Sequence, residues 1–331
     1  MNSTTTYKAF RVEEQGGKFV SAIQELAFEP LAPDELLIKV AYSSLNYKDA
    51  LSASGNKGVT RNYPHTPGID AVGVIVSSNS SKFKVDENVI VTSYDLGMNT
   101  NGGFAEYIQV PADWAVALPE NLSMKEAMII GTAGLTAGMS VYKLTEIVKP
   151  TDGAIVVSGA SGGVGSLSIA ILKKLGYQIT AITGKESETD YLKKLGAGTI
   201  ITRKDFEELD KKLLLKPAFA GAIDTVGGVI LENMIKSVYP MGVITCCGNV
   251  ASPKLDLTVF PFILRGITLV GIDSQNYPMK YREQVWNKLA NEWKTASFAA
   301  TCNEIGLNEL NEKIKLMLEG KLKGRTVVKI Q

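Results

Sequence analysis

Residues 155–165 read Ile155-Val156-Val157-Ser158-Gly159-Ala160-Ser161-Gly162-Gly163-Val164-Gly165, and a helical run begins at Ser166. Three apolar β-formers lead into a turn rich in glycine, and the turn opens a helix. That sequence of elements is a phosphate cradle: glycines let the backbone come close, and a helix N-terminus offers unpaired N–H groups at a positive dipole end. A glycine hexad alone is a weak signal. Here a strand precedes it, a helix follows, and a second strand comes at the right distance. The bland alternative, a strand–helix turn with packing value only, explains less. Ser161, Gly162, Gly163 and Val164 are therefore expected to bind a dinucleotide. The motif sits mid-chain, so the rest of the protein must be assembled from both ends.

Outward from the motif, strands and helices alternate. Strands are expected at 154–158, 179–182, 199–202, 221–224, 243–247 and 267–272, with helices at 164–175, 187–195 and 228–238. This pattern predicts a doubly wound parallel sheet with helices on both faces. Residues 36–43 alternate in polarity, and short strands at 71–77, 88–92 and 104–110 are punctuated by Gly, Pro, Asn and Asp, which predicts a β-rich unit with one helix at 47–53. Ser123-Met124-Lys125-Glu126 is a capping-box sequence that starts a helix, and a second helical run follows at 136–146. Helices at 280–293 and 308–319 and a strand at 326–330 complete the chain. The expected domains are 1–125 with 273–331, and 126–272.

The chain has 331 residues, 45% hydrophobic and 21% charged, with a net charge of +1. These values suit a two-domain α/β protein with a large core. They give no electrostatic reason to expect nucleic acid or an anionic membrane as partner. No stretch is long and apolar enough to span a bilayer, and the N-terminal residues show no signal peptide. Cys246, Cys247 and Cys302 are sparse and odd in number, which predicts reduced thiols in the cytoplasm. Adjacent Cys246 and Cys247 are expected to point to opposite faces of a strand.

The second strand of the motif selects the cofactor. An NAD site places an acidic residue about 20 residues past the glycines to bind the ribose 2′-hydroxyl. Here that position falls on Thr183 or Gly184, followed by Lys185. A hydroxyl, an open backbone N–H and an ammonium suit a 2′-phosphate, and Arg203 can add a guanidinium. NADPH is the expected cofactor. Glu186, next door, keeps NAD as the minority alternative.

Several longer stretches carry a resemblance. They are residues 43–51 (Ser43-Ser44-Leu45-Asn46-Tyr47-Lys48-Asp49-Ala50-Leu51), Pro67-Gly68-Ile69-Asp70, residues 127–134, residues 261–266, Gly271-Ile272-Asp273-Ser274 and residues 324–329. Together they resemble the YhdH/YhfP group of the medium-chain dehydrogenase/reductase superfamily, along nearly the whole chain. The resemblance implies a GroES-like β domain from both chain ends and a Rossmann domain between them. It implies a homodimer joined through the strand at 268–272, and pairing would cover an apolar edge. It also implies an NADPH-dependent acrylyl-CoA reductase, a group often described as quinone oxidoreductases. In zinc-dependent relatives a Cys, a His and a Cys stand where this chain has Asn46, Ile69 and Thr132. The four-cysteine lobe is missing as well, so no metal is expected.

A metal-free hydride donor suits an activated double bond. In an α,β-unsaturated thioester the carbonyl already draws electrons from the β-carbon, so the protein needs only to position and polarise. The resemblance puts Asn46, Tyr47 and Asp49 beside the nicotinamide. Asn46 is expected to hydrogen-bond a carbonyl or carboxamide, and Tyr47 to orient the ring or supply a proton. Asp49 is expected to anchor the segment rather than act as a base. The plain alternative is a capped helix start with a packed tyrosine and a water as the acid. The same resemblance puts Thr136 near the nicotinamide; Cys247, Ile263 and Ser274 are expected to line the cofactor crevice, and Arg325 to reach cofactor or substrate. His65, in a proline-bounded turn, is expected to have a surface or packing role. Lys57, Arg61 and Lys82 are candidate contacts for a CoA nucleotide. The alternatives to the enoyl-CoA reductase are a quinone or enal reductase and a non-catalytic NADPH-binding protein.

Overall fold

A computed structural model describes residues 6–209 and 211–331. Residues 1–5, read above for a leader, lie outside the described residues. Contacts group the chain into two units. One holds Met1–Thr132, Gln275–Ala290 and Cys302–Gln331; the other holds Ala133–Ser274 and Asn291–Thr301.

The first unit opens with a hairpin of β1 (Thr6–Gln15) and β2 (Lys18–Ala27). Its turn is Gly16-Gly17, both at positive φ, the two-residue connection that matches the twist of paired strands. Next come β3 (Glu35–Leu45), α1 (Tyr47–Ala53), β4 (Asp70–Ser78), β5 (Asn88–Thr92), β6 (Tyr107–Pro111) and β7 (Ala115–Ala117). The helix α2 (Met124–Thr145) breaks at Gly131, which has φ +48 and ψ −158, and resumes at once.

The second unit continues with β8 (Ile155–Val157), α3 (Gly163–Lys174), β9 (Ile179–Thr183), α4 (Thr189–Leu195), β10 (Thr199–Thr202) and α5 (Arg203–Glu207). It goes on through β11 (Phe219–Asp224), α6 (Gly228–Ser237), β12 (Val238–Cys246), α7 (Phe260–Arg265) and β13 (Thr268–Gly271). The chain then returns to the first unit for α8 (Met279–Ala290), gives α9 (Ser297–Ala300) to the second, and ends in the first with β14 (Cys302–Gly306), α10 (Leu310–Leu318) and β15 (Arg325–Lys329).

The expected α/β class is the observed one. Six parallel strands run in the order β10-β9-β8-β11-β12-β13. Counted from β8 this is 3-2-1-4-5-6, the doubly wound dinucleotide-binding order, which reverses between β8 and β11. Ile155, Val156 and Val157 are fully buried, as a strand covered on both faces demands. A core of Val156, Ile182, Ala222, Met234, Ile235 and Ile244 seals one face. In the first unit a seven-stranded sheet runs β14-β15-β3-β4-β5-β7, with β6 also on β3. Leu36, Ile38 and Val40 point alternate residues of β3 into its core.

Some expectations need correction. The strand expected from Phe104 starts at Tyr107, because Phe104 instead exchanges backbone bonds with Phe10 and Pro67. The helix expected at 280–293 stops at Ala290. Cys246 ends β12 against the core, while Cys247 already lies beyond the strand. Of the two roles expected for His65 the structure shows packing: it is buried, and its Nε2 pairs with the Gly97 carbonyl at 2.9 Å. Among the described residues, no helix is long and apolar enough to cross a membrane.

Candidate cofactor and reaction-site residues

In the second unit, the turn after β8 adopts its shape through glycine. Gly159 has φ +54, and its carbonyl accepts the Gly162 N–H at 2.9 Å. A Cβ on Gly165 would lie 2.4 Å from that same carbonyl, so α3 can pack on the turn only with glycine there. Around Gly162 the nearest atom to an added Cβ is that same carbonyl, at 3.2 Å, which leaves the outer side of the turn open. Ser161 is buried at the base of the turn, and Gly163 and Val164 begin α3 with their N–H groups at its N-terminus. These features fit a dinucleotide diphosphate.

The next two strands bring positive charge to the same edge of the sheet. Thr183 ends β9 and its hydroxyl accepts the Lys185 N–H at 3.0 Å. Arg203 opens α5 immediately after β10, and its guanidinium lies against Gly184, 3.3 Å from where a Cβ would stand. Thus Gly184, Lys185 and Arg203 converge from two neighbouring loops. Elsewhere in this unit, Thr136 is buried on α2, Ser274 is half-buried and Ile263 is 68% exposed on α7. Cys247 sits at the sheet's carboxyl edge with its Sγ 3.4 Å from the Asp224 carbonyl. Burial pushes its thiol up to about 12, which keeps it protonated and inert.

In the first unit, Asn46, Tyr47 and Asp49 form the start of α1. The centre they surround is Asp70, which sequence reasoning did not select. Its carboxylate is fully buried. It accepts Ser44 Oγ at 2.6 Å, Asn46 Nδ2 at 2.7 Å and Thr132 Oγ1 at 2.6 Å, as well as the Thr132 N–H. Arg325, at the head of β15, lies 3.7 Å away and donates to Ser44 Oγ, Asn46 Oδ1 and the Ile129 carbonyl. Burial lowers its pKa from the ordinary guanidinium value, opposed by Asp70 and Asp49. A visible signal for Asp70 was an acid heading a run of apolar strand residues.

This network already engages two candidates. Arg325 was expected to reach cofactor or substrate; it is buried and turned inward to Asp70's partners. Asn46 was expected to hydrogen-bond a carbonyl or carboxamide; in the structure its amide donors bond Asp70 and the Ser44 carbonyl. Asp49 accepts the backbone N–H groups of Asn46, Gly68 and Ile69, tying α1 to the start of β4. Burial first, and Asp70 second, push its carboxyl up to about 7 against those three donors. Tyr47 differs from all of these: it is 45% exposed, and its hydroxyl has no partner among the described residues. The lysines considered for CoA are already paired, Lys57 with Glu14 and Lys82 with Asp113.

Residues 32–120 match the family described as "Alcohol dehydrogenase GroES-like domain", and residues 163–291 the family described as "Zinc-binding dehydrogenase". The crystal structure of the yhdH oxidoreductase from Salmonella enterica in complex with NADP is 40% identical, with a TM-score of 0.94 over 98% of this chain and 100% of that one. Bacillus subtilis yhfP, crystallised with NAD bound, is also 40% identical, with a TM-score of 0.95 over 99% and 100%. Acrylyl-CoA reductase AcuI of Ruegeria pomeroyi is 36% identical over 96% of this chain and 97% of its own length. The zinc in the second family's description does not fit these residues. Asn46 and Thr132 are engaged with Asp70, and Ile69 has no donor atom. Among the described residues no three His, Cys, Asp or Glu side chains are grouped to hold a metal ion.

Proposed function

This chain belongs to the medium-chain dehydrogenase/reductase superfamily, in the group of YhdH, YhfP and AcuI, and from that premise we propose that it is an NADPH-dependent reductase of small enoyl-CoA thioesters, acrylyl-CoA first among them. The single observation that carries the chemistry is the contrast at α1. Asn46 and Asp49 are locked into a buried network, and Tyr47 alone presents an unpartnered donor.

The cofactor would be held by Ser161, Gly162, Gly163 and Val164 at its diphosphate, and by Thr183, Gly184, Lys185 and Arg203 at its 2′-phosphate. The chemistry that NADPH supplies when bound is hydride donation to the β-carbon. The C=C pair then moves toward the α-carbon and the thioester oxygen, and a proton must reach the α-carbon to give the saturated thioester. Tyr47 is the residue to supply that proton, and solvent restores it through the exposed face of the ring. The Asp70–Arg325 network fixes the segment that carries Tyr47 within the first unit.

Stopped-flow oxidation of NADPH with acryloyl-CoA, crotonyl-CoA and a benzoquinone tests this reading. Acryloyl-CoA is expected to turn over fastest. Brisk quinone turnover with no acryloyl-CoA turnover would replace it with the quinone reductase, and tight NADPH binding without any turnover would leave a binding protein. The three free cysteines support a cytoplasmic setting. The edge position of β13, with Ile263 and Leu264 exposed on neighbouring α7, supports a homodimer.

A further inference from the structure

We propose that Asp224 is a positioning residue for cofactor binding, holding the start of the glycine turn through Ser158 and Thr225. The inference rests on the NADPH reading and deepens it. None of these three residues was a candidate drawn from the sequence.

Asp224 ends β11 and Ser158 follows β8, so the two face each other where the strand order reverses. Asp224 Oδ1 accepts the Ser158 hydroxyl at 2.7 Å and the Val226 N–H at 3.2 Å, and Oδ2 accepts the Gly227 N–H at 2.9 Å. None of these donors is part of a strand ladder. All lie in the loops at the carboxyl edge, the edge on which open α/β sheets bind ligands. What the carboxylate organises is therefore loop geometry. Burial pushes its carboxyl upward while the three donors oppose the shift, so an unneeded acid here would be a liability.

Ser158 is gripped on every polar atom. Its N–H donates to the Ile223 carbonyl at 3.0 Å, and its carbonyl accepts the Thr225 hydroxyl at 3.0 Å. Its Oγ, while donating to Asp224, accepts the Thr225 N–H at 2.9 Å. The next residue is Gly159, where an added Cβ would stand 2.2 Å from Thr225 Oγ1. Gly159 in turn fixes the turn through its bond from Gly162 and its contact with Gly165. Asp224 and Thr225 thus set the path of the turn two residues before the first cofactor-binding position. On the other side, Cys247 donates its N–H to the Asp224 carbonyl at 3.1 Å, and the Thr225 carbonyl would lie 1.9 Å from a Cβ on Gly248. One short segment therefore joins the loops after β8, β11 and β12.

The test uses the full-length protein and two ligands: NADPH, and adenosine 2′-monophosphate, which carries the 2′-phosphate but no diphosphate. In Asp224→Asn, one acceptor oxygen becomes an NH2 facing backbone donors. Thr225→Val removes a hydroxyl at constant shape, and Thr225→Ser restores it. Asp224→Asn and Thr225→Val are expected to weaken NADPH about ten-fold and leave adenosine 2′-monophosphate within about two-fold. Thr225→Ser is expected to recover NADPH affinity. Unchanged NADPH affinity in both loss variants, or equal loss for both ligands, overturns the proposal. Failure of the unaltered protein to bind NADPH overturns the cofactor reading itself and the proposal with it. Should Asp224→Asn not fold, the Thr225 pair decides alone.

Discussion

Tyr47 and Asp49 sit two positions apart yet meet opposite environments, and that difference sets what each can do. Tyr47 is 45% exposed with its hydroxyl unpartnered among the described residues; if it is the proton donor proposed above, Tyr47→Phe should lower kcat with acryloyl-CoA by about 10²–10⁴-fold and leave NADPH affinity intact, read by steady-state kinetics and cofactor titration. An unchanged kcat would hand the proton to water. Asp49 has a folded pKa of about 7 against an ordinary 3.8, so the folded state binds its proton more tightly. Its contribution to stability is present in full below the unfolded value and is lost as pH rises through about 7. Buried His65 has a lowered pKa and acts with the opposite sign, its contribution being lost as pH falls. The measurement is therefore a difference: thermal unfolding from pH 5 to 8 should show the unaltered protein losing stability relative to Asp49→Asn as pH rises. Parallel profiles would contradict the raised value. Arg325→Ala leaves Asp70 as an uncompensated buried charge, and about 3–5 kcal/mol of stability should disappear in a denaturant melt.

Elements were legible where periodicity and punctuation agreed. Helix α1 and strand β10 occupy the expected residues, and β8 and α3 lie within a residue or two of expectation. The hairpin of β1 and β2 went unread although Gly16-Gly17 marks it, because its strands are half-exposed and mix charges into the alternation. Short α7 hid behind Pro261, which tolerates a first helical turn but reads as a breaker. Edge strand β14 hid behind Asn303 and Glu304. Site residues divide in the same way. The glycine turn was visible because backbone conformation demands glycine, whereas Asp70 bonds Ser44, Asn46 and Thr132, and Asp224 bonds Ser158, across sequence distances that no local pattern reveals. Gly131 belongs with the second kind. It breaks α2 at a positive φ, and a Cβ there would lie 2.5 Å from Asp70 Oδ2, 2.7 Å from Ser44 Oγ and 2.8 Å from an Arg325 nitrogen. Gly131→Ala should cost about 2–5 kcal/mol, measurable by chemical denaturation. A near-neutral result would mean that the network yields easily.

For the molecule as a whole, the open edge of the six-stranded sheet invites a second copy. Among the described residues β13 pairs only with β12, and Val259, Ile263 and Leu264, shortly before it in sequence, are 61–68% exposed. Sedimentation should give a particle of twice the 35.6 kDa chain mass, and Gly271→Pro, which removes an N–H facing away from β12, should shift it toward the single chain. A single-chain mass for the unaltered protein would reject the dimer. Arg325 has a further consequence, one of timing. It bonds Ser44 across 281 positions of sequence, so the segment bearing Tyr47 stays unfinished until nearly the whole chain has left the ribosome. The parallel sheet is built from one continuous stretch and can form during synthesis. Vectorial folding would thus give a nascent chain able to hold its nucleotide well before it can perform its reaction.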